Sequence, residues 1–106
     1  MKTIPIPIFK SEVKVARVAD VQTFAKKYDF FVGEDYECMC GEMYPGTYLI
    51  IVSETARPAS IVHECTHAAN LVLGRIGHKF SYDNDEVQAY LLGYIFDKVW
   101  AEFVKV

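Results

Sequence analysis

The chain has no apolar run approaching the ~18 residues that a membrane-crossing helix needs, and no cluster of lysines and arginines. The first absence excludes a helical membrane protein. The second, with a formal net charge of -3, leaves no electrostatic footprint for nucleic acid. No secretory signal is expected from the opening residues, because Ile4-Pro5-Ile6-Pro7-Ile8-Phe9 is too short and too broken by proline for an apolar leader helix. Cysteine is scarce and spaced badly for pairing. The count of 3 is odd, Cys38 and Cys40 are separated by one residue, and no C-x-x-C pair offers a structural zinc site. We expect free thiols, packed as apolar groups, in a reducing cytoplasm.

What is present is a composition for burial. Hydrophobic residues make up 52% of the 106 residues and charged ones 24%. That is enough for the core of one domain spanning 1–106, too short for two, and too apolar for a disordered tail.

Along the chain, Pro5 and Pro7 alternate with isoleucines, which suits an edge strand. Val13 and Val15 suggest a short strand. Asp20 can cap a short helix carrying Val21, Phe24, Ala25 and Tyr28 on one face, ending near Tyr28 or Asp29. Glu34, Asp35, Glu37 and Glu42 read as exposed loop charges. Thr47 to Ser53 is the clearest strand, and Pro45-Gly46 turns it back on Tyr36 to Met43 as a hairpin. An extended substrate could add to the edge of such a sheet by backbone pairing.

The segment that follows carries His63-Glu64-Cys65-Thr66-His67, an H-E-x-x-H pattern. Residues four apart on an α-helix lie about 40° apart and about 6 Å along the axis, so both imidazoles can reach one metal ion. Glu64 lies to one side, placed to accept a proton from a metal-bound water whose pKa zinc lowers towards roughly 7. Pro58 fits the first turn of this helix, and Gly74 or Gly77 can end it. At 100° steps, His63, His67, Asn70 and Gly74 share one stripe. Ile61, Cys65, Ala68, Ala69 and Val72 share the opposite one, giving a ligand face and an apolar back.

Catalytic zinc normally takes three protein ligands and leaves the fourth position open. A second long helix, capped by Asn84 or Asp83 and running to about Val104, is apolar nearly all round between Val87 and Phe96. Glu86, Tyr90, Gly93 and Asp97 form one stripe on it. A carboxylate on the first turn of a buried helix is costly unless paired or bound to metal, and Gly93 would let a neighbouring helix approach. Glu86 is therefore the expected third ligand, with Asp85, Asp83 and His78 as rivals. Tyr90, Tyr82 and His78 are the candidate donors to an oxyanion, none singled out by spacing.

These residues resemble the gluzincin metallopeptidases, in which H-E-x-x-H is completed by a glutamate on a later helix. More narrowly, His63 to Ala69 followed by Asp85-Glu86-Val87-Gln88-Ala89-Tyr90-Leu91-Leu92-Gly93-Tyr94 is similar to small, phage-type gluzincin-like proteins. The resemblance implies that His63, His67 and Glu86 bind Zn2+ and that Glu64 is the general base. It also implies a minimal zincin-like α+β fold: a small, mostly antiparallel sheet packed on the H-E-x-x-H helix and on a C-terminal helix bearing the glutamate. The expected function is hydrolysis of a peptide bond in a peptide or protein substrate. The alternative is a non-catalytic, zinc-stabilised module that uses the same fold to hold a protein partner, suggested by the lack of a second subdomain to wall a cleft.

Overall fold

The run Thr47-Tyr48-Leu49-Ile50-Ile51-Val52 has no polar alternation because both of its faces are covered. In the computed structural model, which describes residues 1–103, it lies inside a four-stranded sheet. The strands are β1 (Lys2–Ile6), β2 (Ser11–Val18), β3 (Cys38–Tyr44) and β4 (Thr47–Ser53), in the order β1-β2-β4-β3. β1 pairs antiparallel with β2, and β3 antiparallel with β4. The central pairing, β2 with β4, is parallel, with Glu12 opposite Thr47 and Val18 opposite Ser53. A parallel pair needs a crossover. Here α1 (Val21–Lys26) and β3 both lie in that connection.

The two faces of β4 belong to two different cores. Leu49 and Ile51 pack with Val21, Ala25 and Val32 under α1. Tyr48, Ile50 and Val52 face the other way, into the larger core beneath α2 (Pro58–Arg75) and α3 (Glu86–Ala101). Among the described residues the result is an α+β fold with a mixed sheet and three α-helices. Among the described residues, no helix is long and apolar enough to cross a membrane.

Local chemistry accounts for the ends of the elements. The Asp20 side chain accepts the Thr23 N–H at 3.2 Å and starts α1. Pro58 opens α2. Of the two candidate stops, Gly77 is the one used: its φ is 79°, and the His78 N–H reaches back to the Leu73 carbonyl while Gly77 N–H bonds Gly74. This is the Schellman arrangement, and it asks for a left-handed residue. A Cβ at Gly77 would meet nothing within 4 Å, so Gly77→Ala carries only the backbone cost. We expect a loss of about 1 kcal/mol in urea unfolding with an unchanged m-value.

α3 departs from the sequence expectation. It begins at Glu86 after Asp85, with no side-chain cap, because Asn84 is engaged in the preceding turn, where it accepts from Ser81 N–H and Oγ–H. Val104, where the sequence placed its end, lies outside the described residues. The helix also buries one face only, through Leu91, Ile95 and Val99. Glu86, Tyr90, Gly93 and Asp97 lie on the opposite, exposed face, and no atom stands within 4 Å of a Cβ built on Gly93. An apolar run with no polar gap does not mark which side meets the core.

Candidate metal centre

α2 packs its apolar back, Ile61, Cys65, Ala68, Ala69 and Val72, on the sheet. His63 and His67 are thereby turned outward into solvent. Their Nε2 atoms approach to 3.1 Å, and the rings meet edge to face at 79°. Two nitrogens each about 2.0–2.1 Å from a tetrahedral zinc ion stand about 3.3 Å apart. The pair needs only a slight opening to reach that separation. The spacing of these two nitrogens is close to that of two ligands sharing one ion.

Glu64, next in sequence to His63, points sideways towards β3 and is half-buried. It lines two grooves at once. One, about 480 Å³, lies between α2, β3 and the segment 31–36, and His67 and Leu71 share it with Glu64. The other, about 270 Å³, lies on the Ser60 side, where His63 joins it. Burial pushes the Glu64 carboxyl above its ordinary value, and the two imidazoles pull it partly back.

The helix is held in this position by a contact the sequence did not reveal. Arg57 precedes α2 and offers no side-chain cap of its own. Glu37, placed just before β3, caps it from outside: its carboxylate accepts the Arg57 N–H at 3.2 Å and the Ser60 hydroxyl at 2.7 Å. These bonds, the Ser60 hydroxyl first, hold the Glu37 carboxyl below the usual carboxylate value. A negative group at a helix N-terminus is also favoured by the helix dipole. One loop acid thus ties the start of α2 to the edge strand beside it.

The three cysteines surround Glu64 without joining the ligand face. Cys38 and Cys65 are buried, Cys40 is half-buried, and all three are free. Burial pushes each thiol up to about 12. They pack as apolar groups, as their spacing suggested.

Among the described residues, no group of three His, Cys, Asp or Glu side chains stands close enough to hold an ion. His63, His67 and Glu64 come together. Glu86 does not join them: it sits exposed on the first turn of α3, so the burial argument that selected it does not hold. Asp83 and Asp85 are exposed as well. That first turn does lie beside the ligand face, because Gln88 donates to the side chain of Asn70, one turn beyond His67.

The expected oxyanion donors also lie elsewhere. Tyr82 is 93% exposed. Tyr90 borders a separate groove against Pro5 to Phe9. His78 follows the end of α2, its Nε2 buried without a partner among the described residues. The tyrosine that lines both grooves flanking Glu64 is Tyr36. It sits in an irregular loop, where no periodicity could have marked it. Comparison with family models, with curated proteins and with solved structures returns no match.

Proposed function

We propose that the chain is a zincin-like, zinc-dependent metallopeptidase that hydrolyses a peptide bond in a peptide or protein substrate. His63, His67 and Glu86 are the proposed ligands of Zn2+, and Glu64 is the proposed general base. The observation that carries this reading is the approach of two exposed imidazole nitrogens to 3.1 Å on a helix whose neighbouring carboxylate lines an open groove. A zinc ion held there would supply a Lewis acid and would acidify a water towards roughly pKa 7.

The chain's own groups divide the remaining work. Glu64 accepts the proton of the attacking water and returns it to the leaving amine. Its half-burial against β3 keeps the carboxylate from swinging into the ligand set. Glu86 must turn from solvent towards the histidine pair. The Gln88 to Asn70 bond supports this, since it keeps the first turn of α3 against the ligand helix. Tyr36, on the rim of both grooves, is the proposed hydrogen-bond donor to the developing oxyanion.

The test is metal stoichiometry together with turnover. Protein purified without added zinc is expected to hold one ion per chain by elemental analysis. His67→Ala is expected to lose it entirely, and Glu86→Ala to weaken affinity by about 100-fold or more, as removal of a whole ligand exceeds the 10–100-fold cost of removing its supporting contacts. Zinc retained in full by His67→Ala removes the proposed site.

A second reading has one observation in its favour. Val87, Tyr90 and Tyr94 on the outer side of α3, with Ile8, are exposed apolar residues along a groove about 590 Å³ in size. A zinc-stabilised module that binds a protein through this face would keep the metal and cleave nothing.

A further inference from the structure

A second face of α3 takes no part in the proposed chemistry. Val87, Tyr94 and Lys98 fall within about 40° of one another around the helix, with Tyr90 beside them, and all four are exposed. Ile8 stands across a groove of about 590 Å³ from this stripe. The Tyr94 hydroxyl donates to the Pro5 carbonyl at 2.9 Å, which fixes that ring on the groove wall. Tyr90 stands out from the helix, 76% exposed. Together Ile8, Val87, Tyr90 and Tyr94 present on the order of 500 Å² of apolar surface, at the upper end of what a monomer leaves open. The exposed Pro5 and Pro7 bring the patch to about 600 Å² per copy, the lower bound for a stable specific interface.

The charges at this face are divided between its two ends. Asp83 and Asp85 lie exposed just before the first turn of α3, and Lys98 is exposed in its last turn. Two copies aligned in parallel would set acid against acid and lysine against lysine. A two-fold axis across the helix runs the copies antiparallel and brings acid to lysine twice. We propose that this face is a homodimer interface, built by antiparallel packing of α3 on α3 of a second copy. With the axis level with Leu92, Tyr90 of each copy lies level with Tyr94 of the other and seats its ring in the opposing groove, against Ile8. Lys98 then comes within about 2 Å, along the axis, of the level of Asp85 in the other copy. Asp97 lies about 60° or more outside the stripe, on the wet rim, where a charge costs little. The contact uses neither the proposed ligands nor Glu64.

The experiment is sedimentation equilibrium of the full chain. An interface this small is expected to give a monomer–dimer equilibrium with a Kd of about 50 µM, read over about 5–500 µM. At the lower concentrations of an unfolding experiment the chain is a monomer. Tyr90→Ser, a change at an exposed position that leaves the circular dichroism spectrum unaltered, is expected to raise Kd about tenfold or more. Lys98→Glu should raise it about tenfold by placing acid against acid at both ends, and Asp85→Lys in the same chain should return it to within about threefold of wild type. A chain that is monomeric at every concentration overturns the interface and gives the face to a different protein. A dimer that Tyr90→Ser leaves intact, or a double variant no tighter than Lys98→Glu alone, overturns it as well.

Discussion

Glu64→Gln should bind zinc with wild-type stoichiometry and hydrolyse peptide about a thousandfold more slowly, within the range that general acid–base catalysis supplies. The substitution is nearly isosteric, so the contacts of a half-buried side chain against β3 persist. What disappears is the ability to take a proton. The side chain is not one of the proposed ligands, so the metal stays. Elemental analysis and initial rates on the same preparation check both halves. A variant that keeps full activity shows that Glu64 is not the base. One that loses its zinc shows that the carboxylate belongs to the ligand set.

The largest effect on stability is expected in β4. Ile50→Ala removes a side chain that is 0% exposed, on the central strand, facing the larger core. Strand pairs fix it on both sides, with Val15 across from it on β2 and Cys40 on β3, so the backbone cannot collapse into the space. We expect a loss of about 2–5 kcal/mol. Against a total of about 5–15 kcal/mol for a domain of ordinary stability, that can halve the folding free energy. Urea unfolding measures it, with Ile8→Ala, at 83% exposure, as a control that should change by less than about 0.5 kcal/mol. A loss below about 1 kcal/mol for Ile50→Ala would mean that this face of β4 is not buried beneath α2 and α3.

The parts of the fold legible in the sequence are those whose pattern is local. The histidine-bearing helix could be read because apolar and polar residues separate cleanly around it, its start because Pro58 suits an N-terminus, and its end only as far as a choice between Gly74 and Gly77. β4 could be read because a strand covered on both sides has nowhere to place a polar residue. Pro5 marked an edge, and Asp20 a cap. The parallel pairing of β2 with β4 was not legible, since Glu12 and Thr47 carry no signal of one another. α3 existed in the sequence, but its orientation did not. With valine, tyrosine, leucine and phenylalanine on every side, its pattern was as compatible with a buried Glu86 as with the exposed one observed. Within the candidate site, His63, Glu64 and His67 follow from helical spacing alone. Glu37 and Tyr36 border it from an irregular segment, where tertiary placement leaves no period to detect.

The division between local and distant pairing has a kinetic side. β3, β4 and α2 form one continuous stretch, Cys38–Ser53 joined to Pro58–Arg75, closed by a tight turn and a short connection. Its loops are cheap to close. β2 can dock on β4 only after the chain between them has been ordered, which makes that contact a late and slow one. A nascent chain can therefore assemble the strand pair and the histidine-bearing helix before its N-terminal strands have found their places. Docking of β2 on β4 would then complete the core beneath a helix that already carries the histidine pair.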